Sequence, residues 1–217
     1  MPQKVPARRA SGSPETRAAI LHAAEHIFAE QGLAGARTDA IAAAARVNKA
    51  LIYYYFKSKD ALYLAVVEEH MKDFYEQASA ILSGDECVRD KLLHYVGMHF
   101  DFIAARKDYP RLFQRFMMSE ERPFMRVRQK YFAPVARKFQ AVIEEGIRKG
   151  ELRASDSTHT AISLVALTVF YFAAAPMLKA VGIIRDPYEK SQLAKRKKEV
   201  LNFVSRALFQ NSGAGSA

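Results

Sequence analysis

Apolar residues recur along most of this chain at the three- and four-residue spacing of a helix face, and almost nowhere at the two-residue spacing of a strand. Ile20, Ala24, Ile27 and Phe28 form the first such face, opened by Ser13-Pro14-Glu15 and stopped by Gly32. Ser suits a helix cap, Pro the first helical position, and Glu the positive end of the dipole. Thr38 is placed to cap a second helix through Ala45, and Asn48 a third from Lys49 to Tyr55. Both are two turns long, so they hold only by packing against their neighbours. Ser58 caps a fourth helix reaching Leu82. Beyond Gly84 the segments lengthen to 86–107, 110–118, 123–149, 155–179 and 187–210, with Ser155 or Asp156 and the pair Asp186-Pro187 as start signals. The pattern predicts an all-α protein of about nine helices.

The ends lack this periodicity. Residues 1–12 mix Pro, Ser, Gly and basic side chains and are expected to form a flexible basic arm; 211–217 form a small-residue tail. The arm has no apolar run behind its basic residues, so it does not resemble a secretory signal. The single cysteine, Cys87, rules out an intrachain disulfide, and its apolar-periodic setting predicts a buried thiol in a reducing compartment. A net charge of +10 favours a polyanionic partner or an acidic membrane surface, without choosing between them. Ala161 to Leu178 is almost wholly apolar and near the minimum length of a membrane span. Ser163, Thr168, Pro176 and the flanking Lys179 favour a helix buried on both sides in a soluble core. A membrane-associated or general polyanion-binding helical protein is the alternative.

Residues 38–56, TDAIAAAARVNKALIYYYF, have the parts of a helix-turn-helix. Ile41, Ala42, Ala45, Val47 and Ile52 supply inner contacts, and the small Ala42 lets the helices cross closely. Lys49, Ala50, Leu51, Tyr53 and Tyr54 lie near the leading end of the second helix. Tyr53 and Phe56 are expected as core anchors.

The stretch 15–65 resembles the TetR family of transcriptional regulators. The resemblance rests on Thr38, Ile41-Ala42, the turn Arg46-Val47-Asn48, the aromatic run Tyr53-Tyr54-Tyr55-Phe56, and Lys59. Arg46 stands at the usual turn glycine and Tyr55 where histidine is frequent. The resemblance implies a DNA-binding domain over 13–60 and a ligand-binding and dimerisation domain over 61–210. It places Thr38, Tyr54, Tyr55 and Lys59 on the DNA backbone and Lys49, Ala50 and Leu51 at base edges. Arg37 and Arg46 would add phosphate contacts beside the Asn48 cap, and Arg8 and Arg9 of the arm could enter a minor groove.

The resemblance also implies a cytoplasmic repressor released from a palindromic operator by a small apolar or aromatic effector. Tyr95, His99, Phe100, Phe113, Phe116, Met117 and Tyr131 are the candidate cavity lining, ordinary core being the other reading for each. Gly97, inside its helix, calls for close packing or a cavity wall. The helices at 155–179 and 187–210 are expected at a homodimer seam, burying the apolar run without a membrane. Lys195-Arg196-Lys197-Lys198 reads as a solvated face. His94, His99 and His159 are too scattered for a metal site, and no cofactor-binding or catalytic pattern is present.

Overall fold

Ser13 opens the first helix through its hydroxyl, which accepts from the Thr16 amide at 3.3 Å, with Pro14 at the first helical position. The computed structural model describes residues 13–120 and 122–210. The arm, with Arg8 and Arg9, and the tail after Gln210 lie outside the described residues.

The helices are α1 (Pro14–Gly35), α2 (Thr38–Ala44), α3 (Lys49–Phe56), α4 (Lys59–Leu82), α5 (Val88–Ala104), α6 (Tyr109–Met118), α7 (Arg122–Val127), α8 (Ala133–Arg148), α9 (Ser157–Ala180) and α10 (Lys190–Leu208). A π-helical turn, Arg128–Phe132, joins α7 to α8 without a break, so the described chain forms nine separate rods, as the apolar pattern predicts. Pro134 accounts for that turn. Its ring has no N–H and would strike the carbonyl four residues back in a regular helix, whereas here the Ala133 amide bonds one residue further back, to Arg128. Among the described residues the one β-type pairing is an isolated bridge between Leu152 and Phe209.

Two helix starts differ from expectation. Arg37, not Thr38, takes the cap position of α2, and Thr38 is already helical. The last helix begins at Lys190 rather than Pro187. There Asp186 accepts from the Tyr188 amide at 3.0 Å, and the Pro187 carbonyl accepts from the Tyr171 hydroxyl at 2.7 Å. Those bonds hold a turn in place of a first helical turn.

The chain divides into two units: residues 1–69 with 111–119, and residues 70–110 with 120–217. Residues 61–69 and most of α6 thus cluster with the N-terminal helices, beyond the boundary expected at 60/61. In that unit Leu112 and Phe116 of α6 are buried, and Arg115 donates to the Phe28 carbonyl at 3.2 Å. The guanidinium passes against Gly32, where φ is 72° and α1 kinks; a Cβ there would collide with it.

In the second unit α8, α9 and α10 all pack on α5. Gly97 of α5 lies beneath Lys197 of α10, whose Cε would be 3.4 Å from an added Cβ, so close helix approach explains it. Gly146 of α8 is tighter, a Cβ coming within 2.7 Å of Leu152 and Val88. Cys87 is exposed at the start of α5, its thiol donating to Asp90 at 3.3 Å, and is not the buried thiol its apolar surroundings suggested. The helix α9 is long and apolar enough to cross a membrane by length and composition. It is not buried on both sides within the subunit. Only 33% of its most apolar window is buried, and Ile162, Phe170 and Met177 stand exposed along one face.

Candidate nucleic-acid interface

The reader is built from the buried side of two short helices. Ile41 and Ala42 of α2 and Ile52 and Phe56 of α3 are buried. Ile52 and Phe56, four residues apart, share the buried face of α3, while Tyr53 and Tyr54 are exposed and Lys49, in the first turn, is half-buried. Arg46 closes the turn between the helices with φ of 55°, the left-handed conformation expected where it replaces glycine. Asn48 caps α3 by accepting from the Ala50 amide at 2.8 Å, and Ser58 caps α4 by accepting from Ala61 at 3.0 Å.

Two contacts link α2 to α3 on the exposed side. Lys49 Nζ lies 3.0 Å from both carboxylate oxygens of Asp39. The Thr38 and Tyr53 hydroxyls lie 3.5 Å apart. Arg37, Arg46, Asn48, Ala50 and Tyr54 are exposed, and Leu51 is half-buried. The candidate groups on α2, the turn and the start of α3 thus share one accessible surface.

Three residues have surroundings that the sequence did not suggest. Lys59 donates to the carbonyls of Ala34 and Ala36, at 3.3 and 3.1 Å, tying the end of α1 to the start of α4. Two of its three N–H donors serve these carbonyls, which leaves one for the phosphate contact expected of it. The Tyr55 hydroxyl donates to the Ser13 carbonyl at 3.0 Å, so its single proton is likewise committed inside the unit. Tyr53 is 43% exposed, not a core anchor, and only Phe56 of that pair is buried.

Sequence reasoning also missed Lys57. It ends α3 with φ of 66°, donates to the Tyr54 carbonyl at 3.1 Å, and sits over the Tyr54 ring. The signal was available, since a residue between the last turn of one helix and the Ser58 cap of the next has to reverse the chain.

The candidate effector lining is divided between the two units. Phe113, Phe116 and Met117 belong to the first unit, Phe116 buried and Met117 exposed, because the amphipathic α6 turns Leu112 and Phe116 inward there. Tyr95, His99, Phe100 and Tyr131 are buried in the second unit. Tyr95 stacks on Phe139 at 4.0 Å between ring centres, and His99 lies beside Phe74 and Tyr95. The Thr168 hydroxyl donates to the Val165 carbonyl and so accepts from His99 Nδ1, at 2.8 Å. Burial pushes the His99 pKa down to about 4, so at neutral pH the imidazole is uncharged and its one proton is on Nδ1. Among the described residues no cluster of histidine, cysteine and carboxylate could hold a metal ion.

Comparison with known proteins agrees with this geometry. Residues 20–66 match the model for bacterial regulatory proteins of the tetR family, and residues 89–204 match a tetracyclin repressor-like C-terminal domain. The transcriptional repressor SCO4008 of Streptomyces coelicolor is 32% identical over 175 residues, covering 79% of this chain and 86% of its own. The ketosteroid regulator KstR2 of Mycobacterium tuberculosis superposes with a TM-score of 0.77, covering 94% of this chain and all of its own, at 16% identity. AibR, solved with isovaleryl coenzyme A and operator DNA, gives a TM-score of 0.73 over 87% of this chain and 97% of its own, also at 16% identity. At that identity the two structures speak for the fold alone. The family models and the repressor from Streptomyces carry the assignment: this chain belongs to the tetR family of bacterial regulatory proteins and is a helix-turn-helix transcriptional regulator.

Proposed function

We propose that the protein is a cytoplasmic, homodimeric repressor whose α3 enters the major groove and whose second unit releases operator DNA on binding a small organic effector. The observation that carries the DNA half is the accessible face formed by Thr38, Arg46, Lys49, Ala50 and Leu51 on a reader whose opposite face is buried. Lys49 can donate to guanine O6 or N7, and Ala50 and Leu51 can meet a thymine methyl. Thr38, Tyr54, Arg37 and Arg46 can hold phosphates, with Lys57 and the remaining N–H of Lys59 beside them.

The dimer half rests on α9 and α10. Ile162, Phe170 and Met177 on α9 and Phe203 on α10 are exposed apolar side chains that a second copy would cover. Two readers in such a dimer have to meet successive major grooves roughly 34 to 36 Å apart. The effector half is supported by the resemblance of fold to AibR, whose structure holds both an acyl-coenzyme A and operator DNA. An effector that weakens DNA has to be weakened by DNA to the same degree.

Binding-site selection from random duplex DNA tests the reading, with half-sites about one helical turn apart as the expected result. On the selected operator Lys49→Ala should relax preference at one or two base pairs, at a cost of about 1–3 kcal/mol at that position. Recovery of no common half-site, or a Lys49→Ala profile identical to the parent, would overturn it.

A further inference from the structure

Asp39 is exposed in the first turn of α2, where its charge opposes the positive end of that helix. That role needs only a carboxylate near the helix start. It does not account for the aim of the side chain, which crosses to α3 and places both oxygens 3.0 Å from Lys49 Nζ. Lys49 is itself accessible, with 43% of its side chain exposed.

An unrestrained lysine beside DNA is a compact cation on a flexible four-carbon stem. Phosphates surround any groove at high density and attract it whatever the sequence. The Asp39 contact changes both conditions. It fixes the end of the stem, and it pairs the cation with a full negative charge, so the two together present no net charge to the backbone. An ammonium has three N–H donors, and a carboxylate engages at most two of them, leaving at least one for a guanine acceptor.

We propose that Asp39 is a specificity-determining residue, holding the Lys49 ammonium for base edges and withholding it from phosphates. This rests on Lys49 reading a base. The Thr38–Tyr53 hydroxyl pair, on the same side of the two helices, adds a second link that keeps α2 and α3 in register for this contact. Asp39 thus acts through Lys49 without touching DNA.

The test is a set of equilibrium titrations of the full-length protein and its Asp39→Asn, Lys49→Gln and doubly substituted variants, on a selected operator and a scrambled duplex, across salt concentration. Asp39→Asn should bind the scrambled duplex more tightly and reduce the operator-to-scrambled ratio by about tenfold, on the scale of one good base contact. Freed for a phosphate, Lys49 should steepen the scrambled-duplex salt slope by about 0.9 per reader. In the Lys49→Gln background Asp39→Asn should leave the ratio unchanged. A loss of ratio in Lys49→Gln with a parental ratio and slope in Asp39→Asn would overturn the role of Asp39 while keeping Lys49 as the reader. A parental ratio in Lys49→Gln would overturn both. Asp39 and Lys49 are both on the surface, so each variant retains the buried contacts of the reader.

Discussion

Lys59 shows how a single side chain changes role once the backbone around it is known. Its position after the aromatic run marks it as a candidate phosphate contact, yet its ammonium closes on the Ala34 and Ala36 carbonyls. The cause lies more than twenty residues earlier: the left-handed turn at Gly32 brings those carbonyls toward the start of α4. No local pattern around Lys59 contains that information. Lys59→Met should therefore lower stability by about 1 kcal/mol in denaturant unfolding, the value of a partly exposed charged hydrogen bond, and reduce the operator salt slope by about 0.9 per reader through its remaining N–H, without reordering operator variants. A parental slope at lowered stability would leave Lys59 with its structural role alone. Tyr55 is similar, because its engagement with Ser13 depends on how α1 meets α3. Ala50 and Arg46 were legible because their exposure follows from the register of one short helix and its turn. Tyr53 was misplaced because it flanks the buried Ile52 and Phe56 face, where spacing alone does not decide between inside and outside.

Helix ends were legible wherever the stabilising group lies within three residues of the end. Ser13, Asn48, Ser58 and Asp156 all accept from an amide of their own helix, at 3.3, 2.8, 3.0 and 2.8 Å. The start of α10 was not, because the hydroxyl that draws the Pro187 carbonyl away comes from Tyr171 in a different helix. The π-helical turn was missed for a different reason: the apolar spacing over 123–149 runs on through Pro134 and does not show the locally widened turn just before it. The turn between α2 and α3 yields a prediction at this scale. Arg46 holds φ of 55° without the freedom of glycine, so Arg46→Gly should raise stability by up to about 1 kcal/mol, less what the more flexible unfolded chain gives back. Thermal unfolding measures this, and a clear loss of stability would show that the Arg46 side chain contributes more than its backbone strain costs.

At the scale of the whole molecule, the nine rods among the described residues and the apolar character of α9 were legible. The seam expected at α9 and α10 calls for an apolar face such as α9 leaves exposed, although burial of α9 on both sides within one subunit was not found. Composition reports how apolar a helix is and says nothing about how many neighbours surround it. Phe170→Asp, placing a charge in the exposed apolar face, should convert a dimer to a monomer in sedimentation and weaken operator binding, because only one half-site is then held per molecule. An unchanged dimer would place the seam elsewhere. Residues 111–119, most of them in α6, return to the N-terminal helices after residues 70–110 in the other unit, a return that one expected boundary at 60/61 does not contain. A gene fragment ending at Glu69 would consequently encode a reader with one wall missing, lacking the Leu112 and Phe116 side chains and the guanidinium that bonds the Phe28 carbonyl. Chimeras that transplant this reader onto a foreign sensor need three junctions, after Glu69, Pro110 and Ser119, instead of one, and a single splice would yield a hybrid that recognises its operator poorly whatever sensor it carries.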